Sequence, residues 1–274
     1  MREEKKIPQI DLEKIIGEKN PRLLKLLPGV VLRYIKKIIH QQDVNGFLNQ
    51  HHQEYGLDFV RAIIKEFGVH VRSEGLENIP KEGGCILASN HPLGGLDAIA
   101  LMNELSKVRT DMKFLVNDIL MNLENLHPVF VPINKHGKNA VENIQRIGDT
   151  YASDGCTLIY PAGLVSRKQS GIVKDLTWHK SFITQAVKHT RNIVPVYVDA
   201  ANSKFFYNLA FWRKKLGIKA NIEMFFLVDE MYKQKNKSIN IIFGKAIPFT
   251  TFTKEHPDRY WAETVKESVY RLKK

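Results

Sequence analysis

CILASNHPLGGLDAIALMNEL, residues 85–105, decides how the rest of the chain is read. Cys85, Ile86, Leu87 and Ala88 form a short apolar run that reads as a buried strand, whereas Ala98, Ile99, Leu101, Met102 and Leu105 recur at helical spacing. A polar, glycine-rich corner joins the two, so Asn90, His91 and Asp97 stand where a strand ends. In open α/β sheets ligands bind at that edge. His91 is the side chain there best suited to take a proton near neutral pH.

A hydroxyl that attacks a carbonyl or thioester needs a base to remove its proton as the bond forms, and histidine suits the task. A carboxylate on the far ring nitrogen holds the imidazole in one tautomer and stabilises the imidazolium. Asp97 is the only acid near His91 in this segment, and Gly94 and Gly95 allow the chain to fold back and bring it onto His91. Simpler readings stand beside this one. Asp97 also fits the N-cap of the following helix, and Asn90 and His91 also fit a plain polar corner.

Working outward, strand and helix signals alternate. Val69-His70-Val71, Lys113–Val116, Val129–Ile133, Thr157–Tyr160, Ile193–Val198, Ile222–Val228 and Ser238–Phe243 read as strands. Helical runs cover Asn139–Ala152, Asp175–His189, Phe205–Lys219 and Asp258–Lys274. The fold class expected is α/β: a mostly parallel or mixed central sheet flanked by helices. An N-terminal helical region, residues 1–68, precedes an α/β domain, residues 69–274. Within the first, Pro21–His40 has a broad apolar face and a basic one, broken at Pro28-Gly29. It fits either an interfacial helix or one packed on the domain.

Lys and Arg number 41 against 29 Asp and Glu, a net charge of +12, which suits an anionic partner. Phe205–Lys219, FFYNLAFWRKKLGIK, interleaves aromatic and basic residues. That pattern fits a membrane-interface helix, a stacking surface for single-stranded nucleic acid, or a core-packed helix. Cys85 and Cys156 lie in apolar runs and read as small core residues of a reduced, intracellular protein. The charged start has no apolar core after it and reads as no secretory signal, and no apolar stretch approaches the roughly 20 residues of a spanning helix. No repeat, metal-ligand spacing, P-loop or G-x-S-x-G elbow occurs, which removes several enzyme classes.

Ser89–Asp97, SNHPLGGLD, resembles the first block of the glycerolipid acyltransferase superfamily, which includes the lysophosphatidic acid acyltransferases. There a His and an Asp with four residues between them form the catalytic pair. Here five intervene, a spacing similar to the branch of bacterial lyso-ornithine-lipid and lyso-glycine-lipid O-acyltransferases. Pro132–Gly137 resembles the second block, with Lys135 in the place of its basic residue, and Ile193–Val198 resembles the fourth. Pro161-Ala162-Gly163 resembles the third block, usually Pro-Glu-Gly followed by Thr-Arg-Ser. Ala162 replaces the glutamate and Val165 the arginine, Ser166 is retained, and Arg167 and Lys168 follow.

The resemblance implies an O-acyltransferase in which His91 takes the hydroxyl proton and Asp97 orients it. It implies substrate contacts from Asn90, Lys135, Gly163, Ser166, Arg167 and Lys168, with main-chain donors near Gly163 around the oxyanion. No metal or cofactor is expected. The expected donor is an acyl thioester of acyl carrier protein or coenzyme A. The expected acceptor is a lyso-lipid, an amino-acid-headgroup lipid ahead of 1-acylglycerol-3-phosphate because the third block is altered. The expected setting is peripheral, on an anionic membrane surface at the cytoplasmic face of the inner membrane, with no nucleic acid as partner. The competing class is a non-catalytic basic protein that binds anionic lipid or nucleic acid.

Overall fold

The computed structural model describes residues 9–133 and 140–274. Lys135 and His136 lie outside them. The helices are α1 (Leu12–Lys19), α2 (Pro21–Leu26), α3 (Gly29–Ile38), α4 (Gln41–Gln50), α5 (Leu57–Phe67), α6 (Gly95–Leu105), α7 (Ala140–Ala152), α8 (Ser181–Lys188), α9 (Lys204–Lys215), α10 (Leu227–Tyr232) and α11 (Asp258–Arg271). The strands are β1 (His70–Glu74), β2 (Cys85–Ser89), β3 (Met112–Val116), β4 (Phe130–Pro132), β5 (Cys156–Ile159), β6 (Arg167–Gln169), β7 (Ile172–Lys174), β8 (Asn192–Asp199) and β9 (Ser238–Phe243).

Seven strands form one sheet in the order β1-β9-β8-β2-β5-β3-β4. All neighbours run parallel except β8 and β9. The α/β expectation, with a mixed sheet, therefore holds. β2 is central because its apolar run suits burial on both faces. Side chains alternate along a strand, so Cys85 and Leu87 join one core with α5 and α6, while Ile86 and Ala88 join a second. That second core includes Phe182 and Ile183 of α8 and Val265 and Val269 of α11. Cys85 pairs with Cys156 across β2 and β5, and the two free thiols lie 3.4 Å apart.

The break expected at Pro28-Gly29 separates α2 from α3. α5 contributes Phe59, Val60, Ile63 and Phe67 to the same core as β2. No helix among the described residues is long and apolar enough to cross a membrane.

Two expectations are corrected. Ile222–Val228 is not a strand: Ile222–Phe226 is a 3-10 turn running into α10. β9 already has β1 and β8 on its two sides, so the segment cannot pair with it, and Glu223 is drawn inward into ion pairs with Arg167 and Arg213. The helix expected from Asp175 begins only at Ser181. Asp175 and Trp178 are consumed by hydrogen bonds that hold the preceding loop in irregular backbone. Residues 167–174 also form a small antiparallel hairpin, β6–β7, that periodicity did not reveal.

Candidate active site

β2 ends at Ser89 and delivers Asn90 and His91 to the carboxyl edge of the sheet, between the ends of β8 and β5. Gly94 then turns the chain at φ +98° and ψ −115°, a conformation that glycine adopts without strain. The turn starts α6 so that Asp97, in its first helical turn, points back over the corner. Its Oδ2 accepts from His91 Nδ1 at 3.0 Å, from the Leu93 N–H at 2.8 Å and from the Gly94 N–H at 3.3 Å. Its Oδ1 accepts from the Ala98 N–H at 2.8 Å.

The N-cap of α6 is Gly94 and not Asp97, which stands at the third helical position; from there its carboxylate takes up N–H groups ahead of the helix and also grips the histidine. The five-residue spacing between His91 and Asp97 closes because Gly94 absorbs the turn. Asp97 is fully buried, and the His91 side chain is 15% exposed. With Nδ1 held by a buried carboxylate, Nε2 is the nitrogen left to accept a proton.

Tyr160, the residue after β5, packs its ring on the imidazole at 3.8 Å between centroids and 17° between planes. Its hydroxyl is buried, and burial, reinforced by the Asp97 charge, holds the phenol well above its usual pKa. The ring therefore acts as a neutral wall that fixes the plane of His91. Sequence reasoning placed Tyr160 in a strand and assigned it no role, because its partner lies 69 residues earlier.

Several residues expected to contact substrate are built into the scaffold instead. Asn90 donates from Nδ2 to the Val198 carbonyl at 2.9 Å and accepts the Val198 N–H on Oδ1 at 2.7 Å, stitching β2 to β8. Ser166 donates its N–H to the His91 carbonyl at 2.7 Å and its hydroxyl to Asp175 Oδ1 at 2.5 Å. The Gly163 N–H, placed among the oxyanion donors, is taken up by the Tyr160 carbonyl at 3.0 Å.

Arg167 is bound up most tightly. Expected to clamp an anion, it is 8% exposed, donates from Nη2 to Glu223 Oε1 at 3.0 Å and lies over the Phe206 ring at 5.1 Å. Burial pulls its guanidinium below its usual pKa, opposed by the Glu223 carboxylate. Arg213 Nε of α9 reaches the same glutamate, 2.7 Å from Oε2. Lys168 is exposed on the hairpin. The positions that depart from the usual third block, Ala162 and Val165, are 5% and 1% exposed and packed among apolar neighbours.

The corner thus presents a base oriented by a carboxylate, at a strand end where a substrate can approach, which suits proton removal from an attacking hydroxyl.

Comparison with known proteins identifies the family. Residues 14–274 match the family model described as acyltransferase. A lyso-glycine lipid O-acyltransferase of Bacteroides thetaiotaomicron is 45% identical over 96% of this chain and 97% of its own. Another of that name, from Phocaeicola vulgatus, is 43% identical over 96% and 95%. The crystal structure of the 1-acyl-sn-glycerophosphate acyltransferase of Thermotoga maritima shares the fold, with a TM-score of 0.50 and 18% identity over 89% of this chain and 80% of that one. The chain belongs to the acyltransferase family and is an acyl-transferring enzyme.

Proposed function

We propose that this enzyme moves a fatty acyl group from the thioester of acyl carrier protein or coenzyme A to the hydroxyl of a lyso-lipid, with an amino-acid-headgroup lipid as the favoured acceptor. The observation that carries the reading is the His91 Nδ1 to Asp97 Oδ2 contact of 3.0 Å at the end of the central strand. His91 Nε2 takes the acceptor's hydroxyl proton as the oxygen bonds to the thioester carbonyl carbon. Collapse of the tetrahedral adduct breaks the carbon–sulfur bond, and the imidazolium returns the proton to the departing thiolate. Asp97 keeps the ring in the productive tautomer throughout.

Two observations favour an amino-acid headgroup over glycerol phosphate. The relatives at 43–45% identity are named for a lyso-glycine lipid. Where the usual third block places its glutamate and arginine, this chain buries Ala162 and Val165, which offer no charge to a phosphate. The purified enzyme, offered an acyl carrier protein thioester with lyso-glycine lipid, lyso-ornithine lipid and 1-acylglycerol-3-phosphate, should acylate the first two at least tenfold faster by kcat/KM. Turnover confined to 1-acylglycerol-3-phosphate would overturn the acceptor assignment. Inactivity on all three acceptors with both thioesters, beside tight and salt-sensitive polyanion binding, would point to the non-catalytic class instead.

The reading extends to a membrane. Phe205, Phe211 and Trp212 of α9 and Leu216 just after it are about half or more exposed, and so are Leu26, Val30 and Tyr34 of α2–α3. Lys25, Arg33, Lys37, Lys214, Lys215 and Lys219 stand exposed among them. α3 packs on the 222–226 turn that also touches α9, which brings the two elements together. Apolar insertion plus about 1 kcal/mol per basic residue at an anionic surface suits peripheral binding. Use of an acyl carrier protein thioester would put that surface on the cytoplasmic face of the inner membrane. Joint replacement of Phe211, Trp212 and Leu216 by Ala should weaken sedimentation with anionic lipid vesicles roughly tenfold or more, on the apolar area lost. Unchanged binding would exclude α9 from the contact.

A further inference from the structure

Asp175 is the second carboxylate at this corner, and the mechanism above leaves it without a task. It is fully buried on the loop between β7 and α8. Its Oδ1 accepts from the His91 N–H at 3.2 Å and from Ser166 Oγ at 2.5 Å, and its Oδ2 accepts from Trp178 Nε1 at 2.9 Å. Ser166 closes the loop by donating its N–H to the His91 carbonyl at 2.7 Å, while its one hydroxyl proton goes to Asp175. Both main-chain polar groups of His91 are therefore held by the Asp175–Ser166 pair. Tyr270 of α11 holds the main chain of Asp175, its hydroxyl accepting the Asp175 N–H at 2.7 Å.

We propose that Asp175 is a positioning residue for His91: it fixes the main chain that carries the imidazole, directly and through Ser166, and supplies a second negative charge close to it. The inference rests on His91 being the base. A buried carboxylate is costly unless a cation offsets it, and among the described residues no Lys or Arg ion-pairs with Asp175. Its bonds come from a main-chain N–H, a hydroxyl and an indole. Burial accordingly pushes its carboxyl above the usual range, against the pull of Ser166, Trp178 and the His91 N–H. The cation that can repay the cost is the imidazolium formed during turnover.

The other groups facing this corner leave the electrostatics to two carboxylates. Asp97 of α6 holds Nδ1 directly. Tyr160 at the end of β5, Tyr197 of β8 and Tyr270 of α11 are all held above their usual pKa by burial and stay neutral. Arg167, next to Ser166, turns away to Glu223.

The test is Asp175→Asn, close to isosteric, assayed beside the wild type and His91→Ala. The variant should lose roughly thirtyfold in kcat with KM for either substrate within about twofold, because the lost geometry and charge act on the transition state. The acid limb of its kcat/KM profile should move to lower pH by about half a unit, since a negative charge favouring the imidazolium is gone. Its Tm should equal or exceed that of the wild type, because an ionised group whose folded pKa is raised costs stability above that pKa. A purely structural role predicts the reverse: a lower Tm and an unmoved limb.

Full kcat with an unmoved limb would overturn the proposal. If Asp175→Asn does not fold, Ser166→Ala decides: it breaks one tie and keeps the charge, so kcat should fall severalfold with the limb in place, and full activity would overturn the positioning role. A wild type without transferase activity, or an active His91→Ala, would instead sink the reading of His91 as base, a result distinguishable from failure of this inference.

Discussion

His91→Ala is expected to lower kcat for acyl transfer roughly a thousandfold, within the range for loss of a positioned general base. Little stability should be lost, because the ring is partly exposed and the folding role at this corner belongs to its partner. Asp97→Asn should cost about a hundredfold in kcat by freeing the tautomer. It should also lower Tm, because Asp97 accepts the Leu93, Gly94 and Ala98 N–H groups at the start of α6 as well as the imidazole. A lost cap is worth about 1 kcal/mol. Initial rates and thermal melts on the same two preparations check the contrast: activity falls in both, stability in one. A His91→Ala enzyme within tenfold of wild type would remove the base from the mechanism.

The largest effect on stability is expected far from the chemistry, at Arg109. Its side chain is 4% exposed. It grips Asp111 with Nε at 2.9 Å and Nη2 at 2.5 Å, and it donates to the carbonyls of Pro80 at 3.0 Å, Gly83 at 2.6 Å and Asp154 at 2.7 Å. Those carbonyls lie in the segments that enter β2 and β5, and Asp111 precedes β3, so one guanidinium ties together the amino ends of three adjacent strands. Arg109→Met keeps much of the apolar stem and strands the carbonyls, a change that should cost about 3 kcal/mol. Tm should fall by roughly 6–12 °C.

The pH dependence follows the same pair. Hydrogen bonding to Arg109 holds the Asp111 carboxyl below its usual pKa. A depressed folded pKa stabilises above the unfolded value and loses that contribution as pH falls through the folded one. The gap between wild type and Arg109→Met should therefore be full above about pH 4 and narrow below it. A gap that persists unchanged into acid would show that packing, not the ion pair, carries the loss.

The chain discloses the central part of this structure readily. β2, the glycine corner, and the His91–Asp97 pair are legible because they are local: an apolar run, a turn residue and a helix period lie within 21 residues. The same locality explains the failures. Arg167 reads as a free cation because its partner, Glu223, stands 56 residues on. Asp175 reads as the start of a helix because Trp178, Phe182 and Ile183 fall at helical spacing, while the contact that defines it is with the main chain of a residue 84 positions earlier. Tyr160 is hidden in the same way. A further signal was available for Ile222–Val228: Glu223 inside an apolar run argues against a buried strand unless a cation waits for it.

The sheet order places β2 fourth from either edge, between β8 and β5, whereas α3 buries only Ile35. Local opening concentrates where little apolar surface is sequestered. On the proposed peripheral reading, the outer helices can thus loosen and re-form against a fluid, jostling surface, while the strand that bears His91 keeps its place as the innermost spar of the frame.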